Sequence, residues 1–159
     1  MLALVNIPKL GMRNIKTAIS VVLSIIVLRL LNMDPFFACI AAVVTMQTTV
    51  DVSFKAGVER MVGTLVGAGI GIIFASIAPN NIFLIALGIV IIIYLSNLIH
   101  QQNAASLACI VFLAIMILAN ETPLQHAYAR IIETFIGIVI AVIINSFFFP
   151  YKEPEDEVI

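Results

Sequence analysis

Residues 38–76 read ACIAAVVTMQTTVDVSFKAGVERMVGTLVGAGIGIIFAS, and residues 108–146 repeat this pattern at a constant offset of 70 positions without a gap. Identical residues recur along the alignment: ACI at 38–40 and 108–110, Met46 and Met116, Arg60 and Arg130, Thr64 and Thr134, Gly67 and Gly137. Each copy belongs to a unit of three apolar segments, and an odd number of membrane crossings turns the second unit upside down. The repeat therefore predicts a 3+3 inverted arrangement, an architecture that many transporters share.

The composition indicates an integral membrane protein. Of the 159 residues, 62% are hydrophobic and 11% are charged, and the mean hydropathy is +1.17. A soluble chain needs more polar surface, and backbone groups in lipid must be hydrogen-bonded internally, so the apolar segments are predicted to be helices. The formal net charge of −1 gives no sign of a nucleic-acid partner.

Breaks in the apolar pattern predict an all-α bundle of six transmembrane helices. The expected helices are 12–31, 36–49, about 53–78, about 82–99, 104–119, and a sixth from 122 to the FFFP of 147–150. The membrane domain is expected to cover 1–150, with repeat halves at about 11–78 and 81–149. An acidic tail at 151–159 follows it. The loops are short, so any function is expected to lie within the bundle.

The distribution of basic residues predicts the orientation in the membrane. One side carries Lys9, Arg13, Lys16, Lys55, Arg60 and Lys152, and the other carries only Arg29 and Arg130. Because loops rich in Lys and Arg stay in the cytoplasm, both termini are predicted to be cytoplasmic.

The second and fifth helices are predicted to be short for a bilayer core, which needs about 20 residues. They occupy corresponding places in the two repeats, and paired short segments point to a central transport site. The second helix also ends in a polar cluster that includes Gln47 and Thr48. The alternative is that short helices sit in a thinned or tilted bundle.

Small residues at a spacing of four form a stripe on the third helix, at Gly63, Gly67, Gly71 and Ala75. The matching stripe on the sixth helix is Glu133, Gly137, Ala141 and Asn145. Small residues at this spacing let helices pack closely in lipid. If the two helices meet at the pseudo-twofold axis, Glu133 and Asn145 face the bundle interior, where polar groups tend to mark a pathway.

Arg60 and Arg130 are equivalent in the repeat, so one arginine is expected near each mouth of the bundle. The guanidinium group binds an organic carboxylate with two parallel hydrogen bonds. Glu133 lies three residues after Arg130, within reach of an ion pair on one helix face, and is the acid best placed to carry a proton. The alternative is that both arginines are interfacial anchors. No enzyme motif, metal site or cofactor site is evident, and no catalytic residue is assigned.

The sequence resembles the aromatic acid exporter family, related to the fusaric acid resistance proteins. The resemblance rests on GMRNIKTAIS at 11–20, residues 35–71, and ARIIETFIGIVIAVIINSFFFP at 129–150. It implies a bacterial inner-membrane protein that exports organic, especially aromatic, carboxylates. On the family pattern, recurring motif positions fall at Gln47, Lys55, Arg60, Thr64, Gly67 and Arg130.

Several functions stay open at this point. The leading hypothesis is an efflux permease, with a passive anion channel of the plant malate-channel type and a non-transporting membrane scaffold as alternatives. A homo-oligomer is expected because six short helices leave little room for a cavity within one subunit, and the similarity in outline to the plant malate channels favours a dimer. Many members of the family continue into a soluble helical domain, so a separate soluble subunit is a further possible partner.

Overall fold

The computed structural model describes residues 11–118 and 122–148, and that part of the chain is all-helical. Its six helices are α1 Met12–Leu30, α2 Phe36–Thr45, α3 Val50–Ile77, α4 Ile82–Leu98, α5 Gln102–Leu118 and α6 Pro123–Phe147. The predicted number and order of helices are confirmed. The acidic tail at 151–159 lies outside the described residues.

The helix boundaries follow from capping residues and from turns. The Asp34 carboxylate accepts a hydrogen bond of 2.9 Å from the Phe36 backbone at the start of α2. The Asn81 side chain likewise accepts from Phe83 and Leu84 at the start of α4. Asn32, Asn80 and His100 have positive φ angles in the turns that end α1, α3 and α4. These are the side chains expected at a helix start and in left-handed turn positions.

The second helix is shorter than predicted, ending at Thr45 rather than at residue 49. Thr49 instead caps α3, which begins at Val50 rather than near Ser53, because its side chain accepts from the Val52 backbone. Ten residues of helix cover about 15 Å, half of a bilayer core. The chain from Met46 to Thr49 continues as non-helical backbone. Both α2 and α5 are shorter than the about 20 residues that a bilayer core needs, as expected. The α4 helix also has 17 residues, so the short length is not confined to this pair.

Two helices, α3 and α6, are long and apolar enough to cross a membrane by length and composition, while α2, α4 and α5 are shorter apolar helices. The outer surface carries many large apolar side chains, such as Leu30, Ile82 and Phe83. Extensive exposed apolar surface fits contact with lipid. Composition and surface together indicate a helical membrane protein.

The small-residue faces contact the second helix of the opposite half rather than each other. On α3, a Cβ added to Gly67 would meet the Ala108 backbone of α5, with its Cα at 3.0 Å. On α6, a Cβ added to Gly137 would meet the Ala38 backbone of α2, with its Cα at 2.9 Å. These two contacts join residues that are equivalent in the sequence repeat. The α3 and α6 helices also pack together, as at Gly57 and Ile138.

Candidate functional site

Many polar and charged side chains are buried in the interior of the bundle. The buried polar residues are Lys16, Ser20, Ser24, Thr45, Ser53, Arg60, Thr64, Ser96, Glu133, Thr134 and Asn145. Polar groups inside a membrane bundle cost free energy and tend to be functional. Some form a hydrogen-bonded network around Asn145, and others, on α2, α3 and α6, have side-chain atoms without a hydrogen-bond partner in the described chain.

The Asn145 network joins α1, α3, α6 and the segment between α2 and α3; it consists of Lys16, Gln47, Thr49, Ser53 and Asn145. Lys16 donates to the Asn145 side-chain oxygen at 2.9 Å. The Asn145 amide donates to Ser53 Oγ at 2.8 Å and to the backbone oxygens of Thr49 at 3.0 Å and Gln47 at 3.3 Å. Non-helical backbone at membrane depth is tolerated where protein satisfies its carbonyls. Asn145 thus supplies hydrogen bonds to the non-helical backbone between α2 and α3.

Two predicted path residues have local roles in this region. The Gln47 side chain donates to the Val44 oxygen of its own chain segment at 2.9 Å, and Thr48 is exposed. The sequence reasoning did not assign Lys16 or Ser53 to a site. Lys16, Ser20 and Ser24 are spaced by four and all buried, so this polar stripe on the first helix was the available signal for Lys16.

Arg130 has two neighbours that compensate its charge. Its Nη2 lies 3.1 Å from Glu133 Oε1, which is the ion pair expected from their spacing. Its guanidinium carbon lies 4.3 Å from the centre of the Phe37 ring, within the range of a cation–π interaction. Glu133 is only 1% exposed, and its second oxygen has no hydrogen-bond partner among the described residues.

Arg60 is the equivalent arginine of the first half, and it lacks both of these neighbours. It is 2% exposed, and neither Nε nor Nη1 has a partner within residues 11–118 and 122–148. At the positions equivalent to Glu133 and Phe37 the chain has Gly63 and Leu107. The hydroxyl of Thr64, one turn further along α3, is also buried without a partner in the described chain. Arg60 is therefore a buried cation without a counter-ion there.

Two polar cavities lie at the turns of the bundle. The first, of about 160 Å³, is lined by Asp34, Ala114, Ile115, Leu118, His126 and Arg130. The second, of about 320 Å³, is lined by Lys55, Glu59, His100 and residues 101–103. The first cavity lies between the N-terminal half of α6 and the turn between α1 and α2, in the other half of the chain. The second lies between the N-terminal half of α3 and the turn between α4 and α5. Neither Asp34 nor His126 was assigned to a site from the sequence.

Asn145→Ala is expected to destabilise the bundle by about 2 to 3 kcal/mol, because it leaves buried carbonyls and the Lys16 ammonium with fewer partners. Equilibrium unfolding in mixed detergent micelles would measure this change. The matched control is Ser146→Ala, since exposed Ser146 bonds only to the Val142 oxygen of its own helix. Equal stabilities of the two variants would show that the network contributes nothing.

Fold, apolar surface and buried polar groups indicate that this chain is a helical membrane protein. It belongs to the aromatic acid exporter family, because the model of aromatic acid exporter family member 1 matches residues 8–148. The chain is 28% identical over 144 residues to a UPF0421 protein of Staphylococcus saprophyticus, covering 90% of this chain and 44% of that protein.

Similar relatives occur in other bacteria. A UPF0421 protein of Oceanobacillus iheyensis is 27% identical over 141 residues, which cover 89% of this chain and 41% of the relative. One from Staphylococcus aureus is 28% identical over 144 residues, covering 90% and 44%. The chain thus spans less than half the length of these relatives. No solved structure matches it significantly.

Proposed function

We propose that this protein is an efflux permease for organic carboxylate anions, aromatic ones in particular, and that Arg60 binds the carboxylate. The observation that carries the proposal is the buried Arg60 guanidinium, whose Nε and Nη1 find no partner in the described chain. Membership in the aromatic acid exporter family supports the aromatic substrate class.

The energetics of Arg60 favour an anionic ligand. A buried charge without a partner costs several kcal/mol, and an opposite charge with good hydrogen-bond geometry offsets much of that cost. A carboxylate can accept two parallel hydrogen bonds from a guanidinium group. The Thr64 hydroxyl on the same face of α3 offers a further hydrogen bond. A carboxylate bound here would satisfy the groups that the protein itself leaves unpaired.

The two arginines then have different roles in the permease. Arg130 is already paired with Glu133, whereas Arg60 is left for the substrate. Of the other predicted path residues, Asn145 and the Gln47 carbonyl belong to the network that closes one end of the bundle. Substrate would have to pass this network, so we assign it as the closed end of the path.

The membrane arrangement that suits this function is the six-span, 3+3 inverted repeat with both termini in the cytoplasm. The equivalent contacts of Gly67 with Ala108 and Gly137 with Ala38 support the pseudo-twofold relation of the halves. In this orientation the Arg60 end of α3 faces the cytoplasm and the Arg130 end of α6 faces outward. We propose assembly as a homodimer in the bacterial inner membrane. We propose a separate soluble subunit as a further partner.

Transport by purified protein in lipid vesicles tests the proposal. We expect uptake of labelled benzoate that Arg60→Gln reduces at least about tenfold, the effect of losing about 1.4 kcal/mol of binding. The matched control is Arg29→Gln, which removes an exposed arginine at the end of α1. Equal loss in both variants, or no uptake by folded wild-type protein, would contradict the permease.

The same assay separates the alternatives. A passive channel would carry voltage-driven flux that survives both collapse of the pH gradient and Glu133→Gln. A scaffold would carry no flux, and its Arg60 and Arg130 variants would alter assembly only.

A further inference from the structure

We infer that Asp34 and His126 form a proton-entry site that connects the outer face of the bundle to Glu133. This inference rests on the proposed function, because it assigns to one cavity the coupling of that transport to a proton gradient. Neither residue belongs to the anion site at Arg60.

The exposure of three titratable groups decreases from the cavity mouth inward. Asp34 is exposed, His126 is partly buried, and Glu133 is almost fully buried. Asp34 and His126 line the same cavity of about 160 Å³ together with Arg130. Arg130 in turn holds one oxygen of Glu133 at 3.1 Å. The cavity has room for several water molecules, and its polar lining can hold them.

The spacing along α6 places the groups in one line. His126, Arg130 and Glu133 are separated by four and three residues, so they share one helix face. The rise of about 1.5 Å per residue puts His126 about 10 Å from Glu133 along the axis. Several waters in a chain are needed to bridge such a distance, and the cavity, which reaches Arg130 beside Glu133, has room for them. The unpartnered Glu133 oxygen is the end point, because it can take a proton while the other oxygen faces Arg130.

The path transfers one proton from the outer face to Glu133 in two steps. A hydronium ion at the outer face gives its proton to the neutral His126 imidazole, whose positive charge Asp34 stabilises. The imidazolium passes a proton through cavity water to the Glu133 carboxylate, so an N–H bond breaks and an O–H bond forms. Glu133 becomes neutral, and Arg130 loses its counter-ion. Imidazole is suited to the first step because its two ring nitrogens can accept and release a proton.

The remaining charged and titratable groups near this path are few. The helices that pack against α6 carry Arg29 at the exposed end of α1, Cys39 on α2, the buried Arg60 on α3 and Cys109 on α5. Their other charged residues lie toward the opposite end of the bundle, at the starts of α1 and α3: Arg13, Lys16, Asp51, Lys55 and Glu59. On α6 itself, Tyr128 is exposed. His126 is therefore the described histidine that lines this cavity.

The experiment compares two transport modes in vesicles that hold the purified protein. Exchange of labelled against unlabelled benzoate at equal pH needs no net proton movement, whereas accumulation driven by a pH gradient does. We expect His126→Gln and Asp34→Asn to keep exchange within about twofold and to reduce gradient-driven accumulation about tenfold. Asn can still cap α2, so Asp34→Asn removes the charge and retains the cap. His100→Gln, at the second cavity, is the matched control.

Each outcome decides a different claim. Absence of exchange in the wild-type protein contradicts the permease itself. Exchange without gradient-driven accumulation in the wild type, or accumulation retained in both variants, overturns the proton-entry site.

A second measurement does not depend on the stability of the His126 variant, because it follows the His126 side chain in the wild-type protein and in Glu133→Gln. The chain contains two histidines, so His100→Gln assigns their resonances in a histidine-labelled sample. We expect the titration midpoint of His126 to differ between wild type and Glu133→Gln, because the two sites are linked through cavity water and Arg130. An identical midpoint in both proteins would overturn the link between His126 and Glu133.

Discussion

Arg60→Met is expected to abolish carboxylate binding and, at the same time, to stabilise the ligand-free protein by about 1 to 4 kcal/mol. The opposite signs have one cause. A buried guanidinium without a counter-ion costs desolvation free energy, and a well-packed apolar side chain of similar length does not. A residue retained for function at a cost in stability behaves in this way.

Two titrations of the purified protein measure the effect. Equilibrium unfolding in mixed micelles gives the stability of each variant, and repeating it with benzoate gives the stabilisation by ligand, which grows with concentration above Kd. Wild type should gain stability with benzoate, and Arg60→Met should gain none. Arg29→Met is the control, since exposed Arg29 should give wild-type values in both titrations. Destabilisation by Arg60→Met without ligand would show that the arginine has a structural partner.

The sequence predicted the helices better than it predicted the site. Apolar segments punctuated by Asp34-Pro35, Pro79 and Pro123 specify six helices because each break has a local chemical cause. The predicted end of α2 was wrong because Gln47, beyond Thr45, forms hydrogen bonds with Ser53 and with Asn145, 98 positions away, instead of continuing the helix. Local propensity carries no information about such a distant partner.

The site was predictable where the relevant residues are neighbours on one helix. Arg130 and Glu133 are separated by three residues, and their ion pair is present. The cation–π contact of Arg130 with Phe37 and the cavity shared by Asp34 and His126 join different helices, so spacing alone could not show them. The sequence also could not show fully that Arg60 and Arg130 differ in the groups that surround them. That difference depends on which groups reach each guanidinium after the helices have packed.

The packing of the two halves leads to the second large effect. Gly67→Ala and Gly137→Ala are each expected to destabilise the protein by about 3 kcal/mol. The added Cβ would overlap the backbone of Ala108 in the first case and of Ala38 in the second. A neighbouring backbone cannot move aside as a flexible side chain can, so the helices must separate and lose contacts along their length.

Gly69→Ala is the matched control, because a Cβ at this exposed position of α3 meets nothing within 4 Å. Its expected effect lies between zero and a stabilisation of about 1 kcal/mol, the helix propensity of alanine over glycine. Equilibrium unfolding of the three variants in mixed micelles measures the change in stability that each substitution causes. If the halves are related by a pseudo-twofold axis, the Gly67 and Gly137 variants should lose similar stability, since the same contact is damaged twice. A large loss in one and none in the other would contradict that relation, and with it the inverted repeat on which the proposed path depends.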